Sequence, residues 1–238
     1  IHPLEFQEQQ HDQVTYVTTP LSHTEHQDFY SGFANNTLWP MLHSRSDLMV
    51  EDPTQFHIYQ QVNQRFAQKI AEIAQEDDII WVHDYHFLSL AQHCRQLGLK
   101  NRIGFFLHIP FSNAGHWQQL HVANTLLTHV LAYDVIGLQT QADQDDCIEV
   151  YQTLLNTAAY NKIAHNCNVF EDRISILESI KDKKLANINQ IKSVISKGKI
   201  YTDIKINTLY IGDSHGYTDK RYDLTDDIKN KVQNNILY

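Results

Sequence analysis

Apolar residues along the first two thirds of the chain fall into runs that alternate between a helical and a strand period. Between residues 54 and 74, Phe56, Tyr59, Val62, Phe66, Ile70 and Ile73 recur at helical spacing behind Pro53 and Thr54, which predicts a helix. Residues 78–83 (DIIWVH) form a short β-branched apolar run, the pattern of a strand buried on both faces. A helix over 87–97 follows and stops at Gly98, a residue suited to helix C-termini. The alternation continues with a strand over 102–109 (RIGFFLHI), closed by Pro110, then a helix over 114–131. A third strand is predicted over 133–139 and a helix over 142–155. Strands separated by helices of this length imply right-handed βαβ units and a parallel sheet covered on both faces.

The remaining stretches are less regular. Residues 1–28 read as polar irregular chain around one strand, 14–18. Residues 29–40 (FYSGFANNTLWP) combine Gly32, Asn35 and Asn36 with aromatics, a turn-rich segment too aromatic for an ordinary solvated loop. Residues 171–200 suggest one or two helices, and 204–211 a strand leading into Gly212, Asp213, Ser214, His215 and Gly216.

Composition changes this picture in one respect. The net charge of −9 is an average of two unlike parts. Residues 1–167 hold 14 of the 15 histidines, only 3 lysines, and a formal charge of −11. Residues 168–238 hold 10 lysines, 12 isoleucines, and a charge of +2. The expected division is therefore a domain over 1–167 and a Lys/Ile/Asn-rich tail over 168–238. A chain of 238 residues, 42% hydrophobic, can bury a sizeable core and is neither disordered nor fibrous. It has no 18-residue apolar run to span a membrane, and no signal peptide is expected. Three cysteines without a CxxC make no disulfide framework, and a reducing cytoplasm is the expected location. Because Ile1 rather than Met opens the sequence, a fragment or processed product is expected.

Ligands of open parallel sheets bind beyond the carboxyl ends of the strands. Two predicted strands end there in polar clusters: His83, Asp84, Tyr85 and His86 on one, His108, Ile109, Pro110 and Phe111 on the other. A carboxylate and an imidazole at neighbouring strand ends can bind sugar hydroxyls or stabilise developing charge. The same residues could instead cap backbone groups, with Tyr30 and Trp39 as plain core. A zinc site from His83, His86 and His108 is a third possibility, though it lacks helical i, i+4 spacing and a nearby cysteine.

Four segments, FYSGFANNTLWP, DDIIWVHDYHFL, NRIGFFLHIPF and YDVIGLQT, in this order and spacing, resemble the trehalose-6-phosphate synthase family, glycosyltransferase family 20. The resemblance covers residues 12–157. It implies an α/β fold with a Rossmann-like parallel sheet, the N-terminal half of a GT-B glycosyltransferase. It also implies transfer of glucose from UDP-glucose to glucose 6-phosphate with retention of configuration, without cofactor or metal, nucleic acid or membrane. Tyr30 and Trp39 match aromatics lining the acceptor pocket, Trp39 facing the sugar. Asp84 matches a carboxylate that binds acceptor hydroxyls, and His108 a catalytic-site histidine near the transferred glucosyl unit.

Departures from the family pattern shape the expectation. No acceptor-phosphate arginine, Gly-Gly loop or donor-domain basic pair can be assigned, Ser112 replaces a proline, and Ser44 an aromatic before Arg45. Losing two phosphate-binding arginines weakens binding by roughly 10²–10⁴-fold. The chain alone is thus expected to hold an acceptor half-site without being a competent synthase; the alternatives are a non-catalytic phosphosugar-binding or subunit-interaction module and a metal-dependent hydrolase. A sheet edge or helix face left uncovered would favour a homo-oligomer. LYIGDSHGY, residues 209–217, resembles openings of GDS esterases and metallophosphoesterases, but too few residues follow for their partners, and no site is assigned there.

Overall fold

The structure is a computed structural model that describes residues 5–11, 14–170, 208–211 and 236–237. It opens with an antiparallel pair, β1 (Gln7–His11) and β2 (Val14–Thr18). The predicted strand 14–18 is present, but β1 carries the sequence QEQQH, whose polar residues give no strand signal at a sheet edge.

A single turn, α1 (His23–Glu25), leads directly into a π-helix, His26–Leu38, and then α2 (Trp39–Leu42). This corrects the turn-rich reading of residues 29–40. Phe29, Phe33, Ala34 and Leu38 are buried, so packing against the core overrides the turn propensity of Asn35 and Asn36. A Cβ at Gly32 would lie 2.6 Å from Gln55 Cδ, so any larger residue there would displace the Gln55 side chain. The i→i+5 bonding of a π-helix persists to its end, where Trp39 N–H donates to Ala34 O.

The helix predicted over 54–74 is α3 (Pro53–Ile73), capped by Asp52. The βαβ series follows as predicted: β3 (Ile79–His83), α4 (Leu90–Gln96), β4 (Arg102–Phe106), α5 (Ala114–Trp117), α6 (Ala123–Val130), β5 (Val135–Leu138) and α7 (Gln141–Leu154). Gly98 ends α4 with φ +85°. The single helix expected over 114–131 is two helices. Glu51 accepts the backbone N–H of His121 at 3.1 Å and so engages the chain at the break. The strand expected to run to residue 109 ends at Phe106, which leaves His108 in the following loop. An unforeseen helix, α8 (Thr157–Asn166), precedes β6 (Cys167–Val169). The strand expected over 204–211 is described as β7 (Thr208–Ile211), and β8 (Ile236–Leu237) is a two-residue strand. The expectations for 171–200 and for Gly212 to Gly216 lie outside the described residues.

The described strands form one sheet in the order β1-β2-β8-β7-β3-β4-β5-β6, parallel except for the β1–β2 pair. All five residues of β3 are buried, as expected for an inner strand covered on both faces. His83 pairs with Phe106, and Phe106 with Gly137, so β3, β4 and β5 end at one level. Cys94, Cys147 and Cys167 are buried free thiols, and burial pushes that of Cys94 up to about 12. No helix among the described residues is long and apolar enough to cross a membrane.

Candidate active site

The crevice starts where β3 stops. Asp84 N–H donates to Phe106 O at 2.9 Å, carrying the backbone pairing one residue past the strand. Asp84 then adopts φ 70° and ψ 166°. That region is essentially reserved for glycine and costs a residue with a Cβ about 1–3 kcal/mol. The strain redirects the chain into a tight turn, Tyr85–Phe87, whose first amide donates to the Asp84 carboxylate at 3.2 Å.

Three side chains hold that turn in place. Tyr59 of α3, fully buried, donates its hydroxyl hydrogen to Tyr85 O at 2.8 Å and accepts Leu88 N–H at 2.9 Å. Asn63, one helical turn further on, donates from Nδ2 to His86 O at 3.1 Å. Tyr133 donates to Phe87 O at 2.5 Å. The buried polar groups of an irregular segment thus find partners on α3 and on the loop between α6 and β5.

A chain of ring contacts runs beside the strand end from Trp39 through Tyr85 and His86 to Tyr30. Tyr85 donates its hydroxyl hydrogen to Asn35 Oδ1 of the π-helix at 2.7 Å, and its ring centroid lies 5.6 Å from that of Trp39. Trp39 is 42% exposed and packs against His43 at 4.1 Å. Tyr30 stacks on His86, centroids 5.4 Å apart and planes at 10°, and His86 in turn contacts Tyr85 at 4.2 Å. A partly exposed indole in contact with the residue that follows a carboxylate suits a pyranose ring, whose C–H face can pack on an aromatic while its hydroxyls donate to an acid.

The second strand supplies the imidazole. Beyond β4, Leu107 N–H donates to Gly137 O at 3.0 Å, and His108 O accepts from Gln139 Nε2 at 2.5 Å. Asp143 fixes the far end of this loop by accepting Phe111 N–H at 2.9 Å while capping α7 through Thr140. Ser112 is buried there and its hydroxyl donates to Met41 Sδ at 3.3 Å. Nε2 of His108 lies 2.7 Å from Nδ1 of His83.

The fold therefore joins the four residues singled out from the sequence in two linked groups. Trp39 meets Asp84 through Tyr85, and Tyr30 joins them through His86. His108 is tied to His83, which immediately precedes Asp84. Missed were the supports: Asn35, Tyr59, Asn63, Gln139 and Asp143. Only Asp143 had a local signal, the Thr140-x-x-Asp143 capping pattern, which marks a helix start without revealing the loop it anchors.

Two imidazole nitrogens on one tetrahedral zinc would stand about 3.3 Å apart, given Zn–N bonds of 2.0–2.1 Å. At 2.7 Å, His83 and His108 share a hydrogen instead. The described residues contain no three His, Cys, Asp or Glu side chains arranged to hold a metal ion.

The Rossmann-like parallel sheet matches the N-terminal part of solved GT-B glycosyltransferases. The chain belongs to glycosyltransferase family 20, which it matches over residues 4–212. It is 40% identical over 147 residues to the trehalose-6-phosphate synthase of Sodalis glossinidius (strain morsitans), covering 62% of this chain and 31% of that protein. A solved alpha,alpha-trehalose-phosphate synthase (UDP-forming) from Burkholderia xenovorans, in complex with glucose-6-phosphate, is 37% identical with a TM-score of 0.61. That match covers 63% of this chain and 33% of the other. An E. coli structure described as bound with UDP-2-fluoro glucose is 36% identical, with the same TM-score and the same coverage of each chain. The chain thus spans about a third of the length of the relatives it matches.

Proposed function

We propose that this chain forms the acceptor side of a retaining glucosyltransferase that transfers glucose from UDP-glucose to glucose 6-phosphate, giving trehalose 6-phosphate. The observation that carries the reading is the Trp39–Tyr85–Asp84 arrangement at the end of β3, with His108 alongside at the end of β4. Trp39 covers one face of the acceptor sugar and Tyr30 extends that wall. Asp84 accepts from sugar hydroxyls, and its strained backbone is the signature of a residue held for function rather than for stability. His108 acts near the transferred glucosyl unit. Two related structures, one holding glucose 6-phosphate and one a UDP-glucose analogue, support both substrates.

Residues 1–167 form the acceptor-side unit in this reading, and the protein works in the cytoplasm without a cofactor. Transfer is assigned to a protein of the relatives' full length, and acceptor binding to this chain. Calorimetric titration of the chain with glucose 6-phosphate, followed by an assay for UDP release from UDP-glucose, tests it. Saturable binding without turnover supports an acceptor half-site, and turnover by this chain assigns it the whole activity. Failure to bind refutes the assignment of the crevice.

A further inference from the structure

The rings of His83, the last residue of β3, and His108, just beyond β4, meet edge to edge, with centroids 5.0 Å apart and planes at 21°. His83 is 2% exposed and its ring is enclosed by Trp81, at 4.3 Å between centroids, and Phe106, at 6.4 Å. Phe106 also meets His108 edge-on at 4.7 Å, so apolar rings support both imidazoles. A separation of 2.7 Å between Nδ1 of His83 and Nε2 of His108 places a single hydrogen between them. If His83 donates, neutral His108 carries its own hydrogen on Nδ1; if His108 donates, its Nδ1 is a bare acceptor. Either way, the bond made at Nε2 dictates what Nδ1 can do.

We propose that His83 is a positioning residue for His108, fixing its ring plane and holding it in one neutral tautomer. The inference rests on the reading of the crevice as a sugar-phosphate site. The main chain reinforces it. Gln139 restrains the His108 carbonyl, and the hydrogen bond from Asp84 N–H to Phe106 O locks the two strand ends in register. Adjacent residues of β3 and its turn thereby serve both halves of the site: His83 orients the imidazole and Asp84 offers the carboxylate. A histidine that swings freely loses most of its orientations on binding a substrate, whereas a clamped one has already lost them.

The test uses the full chain with ¹⁵N-labelled histidine and long-range ¹H–¹⁵N spectra, with His108 assigned by the loss of its signals in His108→Gln. The wild type should show one neutral tautomer for His108. In His83→Phe, which keeps a ring but no nitrogen, His108 should shift to a mixture of tautomers. In His83→Asn, whose side-chain amide reaches the place of Nδ1, the single tautomer should return. Identical His108 spectra in the wild type and His83→Phe overturn the proposal. If His83→Phe does not fold by circular dichroism, His83→Gln replaces it, because its amide lies beyond the Nδ1 position. An unchanged His108 tautomer in His83→Gln is then the contradicting result. Adding glucose 6-phosphate to the labelled wild type separates this inference from the functional reading. Absence of any spectral change would refute the sugar-phosphate site, while the tautomer comparison still decides the role of His83.

Discussion

Tyr59→Phe is the perturbation that best isolates how the site turn is supported. The hydroxyl donates to Tyr85 O at 2.8 Å and accepts from Leu88 N–H at 2.9 Å, in a fully buried position. Phenylalanine keeps the ring that packs against Phe33 at 4.8 Å and Phe29 at 5.6 Å, so almost no cavity opens. What is lost is polar satisfaction of two buried peptide groups. Each orphaned group costs about 1–3 kcal/mol, and the carbonyl, with its second lone pair, lies at the low end. The sum is about 2–4 kcal/mol, or roughly 1 M in urea midpoint if the slope is about 2–3 kcal/mol/M. Equilibrium urea unfolding followed by tryptophan emission measures it. Because the same turn carries Asp84, glucose 6-phosphate affinity should fall alongside stability. A midpoint within about 0.2 M of wild type, at unchanged slope, would show that Tyr59 does not support the turn and refute this reasoning.

Three further expectations concern other parts of the structure. Tyr85→Phe removes the hydrogen bond to Asn35 while keeping the ring beside Trp39; it should cost about 1 kcal/mol and alter the emission of Trp39, the most exposed of the three tryptophans, measured against a Trp39→Phe background. Burial lowers the pKa of His93 and of His129, which belong to a network of Gln60, Ser89 and both imidazoles. The unfolded chain therefore binds protons more readily, so these histidines contribute stability that is present above about pH 6.5. That contribution is lost as pH falls, and thermal melts from pH 7.5 to 5 should steepen their decline below 6.5, less so in His129→Gln. Gly98→Ala, at φ +85° with open space around the new methyl, should cost about 1–2 kcal/mol from backbone strain alone; an unchanged melting temperature would contradict this.

The legible and illegible parts of the molecule divide by the distance over which their signals act. β3, β4, β5, α3 and α7 were legible because each is buried along a local period, whether an unbroken apolar run such as IIWVH or the helical repeat from Phe56 to Ile73. β1 was not, because strand pairing with β2 stabilises a polar QEQQH segment that has no apolar face. The π-helix reads as turns in sequence because Gly32, Asn35 and Asn36 report local preference, which contacts with α3 and the Tyr85–Phe87 turn overrule. In the site, Asp84 and His108 stood out as polar residues closing apolar strands. Their supports did not. Asn35 meets Tyr85 across 50 residues, Tyr59 meets Leu88 across 29 and Asp143 meets Phe111 across 32, separations at which a side chain leaves no local pattern.

Calorimetric titration of glucose 6-phosphate into the wild-type chain and Asp84→Asn tests the central claim most directly. The account predicts saturable binding by wild type and at least about tenfold weaker binding by Asp84→Asn, since a charge-assisted hydrogen bond contributes about 1.5–3 kcal/mol. Equal affinity of the two proteins, or no binding by wild type, would contradict it.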